Sequence, residues 1–176
     1  PCPFPVVPDE PLSRGDFFRI LRDTYRGTPF DMSAQRASGP FGMTDRYDGT
    51  DNVKEEGRDG QGAFERPIGV YRMAYSYVCE PSSHLPLFHF GPHAAQTGVY
   101  FPILAGGGVG AMDECPEPLA RGTVEAIDRE SAYWAFRIVK HAARGLPWNR
   151  CLEMISDRQR KWEGRAARIV DEAAAA

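Results

Sequence analysis

Residues 67–104, PIGVYRMAYSYVCEPSSHLPLFHFGPHAAQTGVYFPIL, read as three strands in succession joined by short polar turns. From position 68 to 78 the side chains fall into two rows. Tyr71, Met73, Tyr75 and Tyr77 form one, and Val70, Arg72, Ala74, Ser76 and Val78 the other. Successive side chains of a strand point to opposite faces, and aromatic and β-branched residues suit a pleated surface, so the alternation predicts a strand. After the Pro81-Ser82-Ser83 turn, residues 85–90 give a second strand. Gly91-Pro92 breaks it, and 97–104 give a third, closed by Gly106-Gly107-Gly108. A three-strand meander is the economical arrangement. Both faces of its first strand carry mostly apolar groups, which predicts a sheet covered on each side, a cover that this chain supplies only in part by itself.

With 176 residues the chain is one domain or a large piece of one. A formal net charge of −3 gives no electrostatic reason to expect nucleic acid or an anionic membrane as partner. Cys2, Cys79, Cys115 and Cys151 lie far apart without a CxxC pair, so buried or idle thiols are expected rather than a zinc site or a redox motif. No apolar run reaches the ~20 residues of a membrane helix, and the chain reads as soluble, its compartment open. The start, PCPFPVVP, is neither an initiator methionine nor a signal peptide and reads as the middle of a longer protein. Its prolines favour an extended linker over 1–12.

Outside the sheet the pattern predicts helices. Ser13 and Asp16 form a variant capping box ahead of Phe17, Phe18, Ile20, Leu21 and Tyr25, with Gly27 as the stop. The following Gly-, Asp- and Arg-rich stretch has no periodicity, and 45–62 is the expected flexible loop. Asp128 reads as the N-cap of a helix over 129–144, with Lys140, His141 and Arg144 favourable near its negative end. A last helix over about 149–172 repeats Trp148, Leu152, Ile155, Trp162, Ala166 and Ile169, with Gln159 interrupting, and would span roughly 35 Å. So long and narrow a seam suits packing along another helix, in cis or across a dimer. The organisation is thus a linker (1–12), a main body (13–146) and a C-terminal helix and tail (147–176).

Few residues suggest chemistry by themselves. His84, His89 and His93 have a spacing that does not set three rings on one side of a strand and turn, and no carboxylate completes a shell, so no metal and no cofactor is expected. Ser82, Ser83 and His84 are adjacent on a turn without a GxSxG elbow. Cys79 with His84 or His89 is a geometrically open pair, against a buried structural thiol. The glycine run at 106–110 leads into an acidic, proline-broken stretch without GKS or GKT and reads as a bend rather than a phosphate loop.

Five blocks together resemble the dipeptidase A family of cysteine N-terminal-nucleophile (Ntn) hydrolases, which includes the secernins. They are LRDTYRGTPFDM (21–32), ASGPFG (37–42), ERPIGVYRMAYSYV (65–78), FGPHAAQTGVYFPILAG (90–106) and DRESAYWAF (128–136). The resemblance runs from about residue 11 to the end and matches the C-terminal part of such proteins. It implies an α+β fold, the C-terminal part of an αββα four-layer sandwich with antiparallel sheet and amphipathic helices. In that chemistry an N-terminal cysteine attacks the peptide carbonyl and its own α-amine takes the proton. Cys2 is not terminal, and Cys-Pro-Phe-Pro does not suit a central strand. The nucleophile is therefore expected elsewhere, on the N-terminal catalytic portion or a companion chain. Where relatives continue from the Tyr-Ser-x-Val strand with Gln-x-Arg, this chain has Glu80-Pro81-Ser82. Arg72 and Ser76 match the family strand, and the resemblance implies that they line a pocket for short peptides. Two functions stay open: a segment of a dipeptidase-like amidohydrolase, or a catalytically silent relative serving as an assembly subunit through the apolar sheet face and the last helix.

Overall fold

The computed structural model describes residues 7–34, 38–45, 66–105 and 116–175. In chain order these form α1 (Arg14–Leu21), β1 (Tyr75–Glu80), β2 (Leu87–Pro92), β3 (Phe101–Leu104), α2 (Glu117–Ala120), α3 (Ala132–Ala143) and α4 (Trp148–Ala175). The strands make one antiparallel sheet in the order β1-β2-β3. Its register runs from Tyr75↔Pro92 to Glu80↔Leu87 and from Leu87↔Leu104 to Phe90↔Phe101. The α+β class and the three-strand antiparallel meander are as expected. The expected start of the linker, Cys2, most of the 45–62 loop, the glycine run and Cys115 lie outside the described residues.

The first strand is shorter than its pattern. It starts at Tyr75, where pairing with β2 starts, and not at residue 68. Upstream, Gly69 is drawn to the end of α1, its N–H donating to the Asp23 carbonyl at 2.8 Å. A Cβ on Gly69 would lie 2.8 Å from the Arg22 carbonyl carbon and oxygen, so only glycine lets the two backbones approach this closely. Met73 N–H then closes a turn on the Val70 carbonyl. Tertiary hydrogen bonds have replaced the ladder that alternation alone suggests.

The sheet has two unlike faces. On the inner one, the Phe18 ring of α1 stacks on Tyr100 at 4.2 Å and meets His89 edge-on at 5.4 Å. Here His89 Nε2 pairs with Glu80 at 2.9 Å, and Arg14 reaches the same carboxylate at 3.3 Å. The outer face carries an aromatic ladder, Tyr77 on Phe88 at 5.1 Å and Tyr75 near Phe90 at 6.1 Å. Tyr75 and Tyr77 are more than half exposed. Among the described residues, the helix contact with this face is Phe136 of α3 beside Phe101.

The Ser13–Asp16 capping box forms as expected. Its hydrogen bonds, with Arg19, hold the Asp16 carboxyl down at about 2. The helix stops earlier than predicted, at Leu21, because the Asp23 carboxylate accepts from Tyr25 N–H and turns the chain, leaving Tyr25 at φ 60°. Gly27, at φ 78°, belongs to the next turn. The N-cap of α3 is Ser131, not Asp128, whose carboxylate is engaged by Arg121 at 2.7 Å and by Glu130 N–H at 3.0 Å. α4 is longer than expected, 28 residues or about 42 Å. Its first turn is anchored by Trp148 N–H donating to the Phe41 carbonyl at 2.8 Å, within a turn whose Gly39 and Gly42 both have positive φ. Met43, Ala143 and Trp148 form a core cluster with Cys151 and Leu152 against it.

Candidate functional site

Every residue of the connection from Gly91 to Tyr100 is buried. A buried loop must satisfy its backbone internally, and three side chains do much of this here. Arg22, just past α1, donates from Nε to the Ala95 carbonyl at 3.0 Å and from a terminal nitrogen to the Gly98 carbonyl at 3.1 Å. Gln159 of α4 donates to the Gln96 and Gly98 carbonyls at 3.2 and 2.7 Å. Glu163, one turn on, accepts from Tyr100 N–H at 3.0 Å and clamps Arg22 at 2.5 and 3.1 Å. The Gln159 that breaks the apolar seam is thus a buried anchor of the loop.

Gln96 extends the network to the other side. Its Oε1 accepts from Thr44 at 2.7 Å and from Lys140 Nζ at 3.1 Å, and its Nε2 donates to the Gly69 carbonyl. Lys140 is only 2% exposed. It meets Asp45 at 2.6 Å and lies 4.7 Å from the Trp148 ring centroid. Burial pulls its pKa down, opposed by Asp45. Asp45, expected at the edge of a flexible solvated loop, is itself buried.

Beside this network lies a cleft of about 200 Å³ between the turn at Tyr71–Ala74 and α3. It contains Arg72, Arg137, Lys140 and Arg144, with Asp45 as the lining carboxylate. Arg137, Lys140, His141 and Arg144 follow at i, i+3, i+4 and i+7, one stripe of a helix. Arg144 reaches Asp45 at 3.6 Å. The Arg137 guanidinium donates to the Tyr133 hydroxyl at 2.6 Å and lies 5.3 Å from the Trp134 ring centroid. His93 also lines the cleft, at φ 61°, with its N–H on the Ala74 carbonyl and its ring edge-on to Tyr133 at 5.4 Å. Burial, then Arg137 and Lys140, push the His93 pKa down to about 4, and the same physics lowers His141. The His93 imidazole is neutral at pH 7, protonation of His141 is disfavoured by burial and the neighbouring arginines, and the cleft's positive charge rests on the arginines and Lys140.

The residues expected from the resemblance separate. Arg72 lines the cleft, near its neighbour's ring at 5.7 Å. Ser76 does not: it is buried beneath Gly91, its hydroxyl paired with Tyr100 at 2.8 Å. The shared strand face expected for the two is lost because Arg72 precedes the strand. Cys79, open to pairing with His84 or His89 or to burial as a structural thiol, is exposed on the outer face opposite Phe88, whereas His89 points to the inner face. Ser82 is a turn-former, accepting from the His84 and Leu85 N–H groups. The three histidines occupy separate places, and no group of three potential metal ligands occurs among the described residues. Among them, too, no helix is long and apolar enough to cross a membrane. Gln96 and Arg137 escaped the sequence reading, Lys140 entered it only as a helix-end cation and Asp45 only as the edge of a loop, although the 3,4 spacing of the α3 cations was visible.

No family model, curated protein or solved structure matches this chain.

Proposed function

We propose that the chain is the C-terminal portion of a dipeptidase-like amidohydrolase that cleaves short peptides with an N-terminal cysteine nucleophile lying outside these residues. The observation that carries this reading is the convergence of the five resembling blocks. Arg22, Gly69, Ser76 and Tyr133 come from three of these blocks and all touch residues 91–100 of a fourth. Phe41 caps the α4 helix that grips the same connection. A common site is the economical reason for such blocks to be gathered.

In this proposal Arg72 lines the peptide cleft, while Ser76 supports it from below through Tyr100. The nucleophile's thiolate would attack the scissile carbonyl, and the cysteine's own α-amine would take and return the proton. Glu80, standing where relatives have the Gln-x-Arg segment, is engaged with His89 and Arg14 on the inner face. The exposed Tyr75–Phe90 face would pack on the second sheet of the four-layer sandwich, and exposed Trp162 and Ile169 on α4 would serve self-association.

That aromatic face also favours a second reading, a catalytically silent relative that uses it for assembly. Dipeptide hydrolysis by the native protein, with and without iodoacetamide, separates the two. Hydrolysis abolished by alkylation is the expected result. A native protein that leaves a dipeptide panel intact contradicts the peptidase reading and leaves the assembly subunit.

A further inference from the structure

We propose that the cleft between the Tyr71–Ala74 turn and α3 is a binding site for a small oxyanion, a carboxylate or phosphate group, with Arg137 as its principal donor. The charge balance is the first argument. The full chain is net negative, yet among the described residues this cleft sets Arg137, Lys140 and Arg144 against one lining carboxylate, Asp45. That carboxylate is engaged by Lys140 and Arg144. Arg137 has no carboxylate within 4 Å among the described residues.

Preorganisation is the second argument. The Arg137 guanidinium is tied to the Tyr133 hydroxyl and held beside the Trp134 ring, so its remaining N–H donors are presented with little further ordering. Planar guanidinium donors match the oxygen pair of a carboxylate or phosphate. Tyr71 and Tyr133 line the cleft and His93 and Lys140 are buried in its wall, so its inner end is shielded from water, which strengthens attraction for an anion there. A second, independent sign of an unfinished polar environment is His93, 7% exposed, whose Nδ1 is buried without a hydrogen-bond partner. At about 200 Å³ the cleft admits a small anionic group rather than a whole drug-sized ligand.

The cleft is the one that the peptidase reading assigns to short peptides, and the proposal deepens that reading by naming the anionic group it would hold; its test stands apart, because binding is read without hydrolysis. The test is isothermal titration of the full chain with inorganic phosphate and, separately, with acetate, in wild type, Arg137→Gln and Arg165→Gln, the last a control on α4 outside the cleft. Saturable binding that weakens about tenfold or more in Arg137→Gln and is unchanged in Arg165→Gln is expected. Preference for phosphate or acetate assigns the oxyanion. Absence of saturable binding to both, or equal binding in Arg137→Gln and wild type, overturns the site. Circular dichroism of Arg137→Gln excludes loss of fold as the cause, and if that variant is unfolded, Arg137→Lys serves, which keeps the charge but removes the planar donor pair and is expected to weaken binding as well; unchanged binding there overturns the assignment of Arg137.

Discussion

Gln96 uses both ends of its side-chain amide inside the protein, and Lys140 beside it is a buried cation held by Asp45, Gln96 and the Trp148 face. Removing one partner of a buried pair strands the other charge. Lys140→Met is therefore expected to lower unfolding free energy by about 3 kcal/mol in urea titration, with much of the loss recovered in Asp45→Asn/Lys140→Met. His93 gives a pH signature. Its folded pKa, about 4, lies below the ordinary 6.5, so between these values the unfolded chain binds a proton that the folded chain does not. Stability from this group is full above about pH 6.5 and is lost as pH falls toward 4, by on the order of 3 kcal/mol. Arg137, Lys140 and His141 of α3 oppose its protonation, and Asp45 favours it. His93→Gln should flatten that part of the stability profile, and an unchanged slope would contradict the assignment. None of these pairings was legible in the sequence, because all but the Lys140–Trp148 contact join residues tens of positions apart and a lone Gln or Lys looks the same buried or exposed.

At the scale of elements, local signals were the readable ones. The capping box of α1 involves residues three apart, and Ser13→Ala should cost about 1 kcal/mol in thermal or urea unfolding. The meander was readable because alternation marks the first strand and turn-forming residues, Pro81-Ser82-Ser83 and Gly91-Pro92, punctuate the apolar runs that follow, although the β2–β3 connection is a buried loop over 93–100. Boundaries failed where tertiary contacts compete: Gly69 binds the end of α1, and Asp128 binds Arg121 in preference to capping α3. In α4, Gln159 looked like a flaw in an apolar seam and is instead the clamp of a buried loop. Gln159→Leu removes both donations and leaves the buried Gln96 carbonyl without its donor while Gly98 keeps Arg22, so a loss of about 2 kcal/mol is expected, together with faster hydrogen exchange at Tyr100.

For the whole molecule, the inner face of the sheet is closed by α1 and α4 while the outer face shows Tyr75 and Tyr77 to solvent. An apolar groove of about 750 Å³ also runs between α3 and α4, past Phe136, Val139, Met154 and Trp162. Alternating aromatic residues predicted a sheet that this chain covers only in part, and the exposed ladder agrees with that. Composition could not show which face would stay open, since both rows of the first strand are apolar. Under the proposed function these residues complete a catalytic half that begins with cysteine. Intact mass and N-terminal sequencing of the native protein test it most directly. A segment beginning with Cys, on the same polypeptide or held tightly beside it, is the result expected; a native protein with no such segment contradicts the claim.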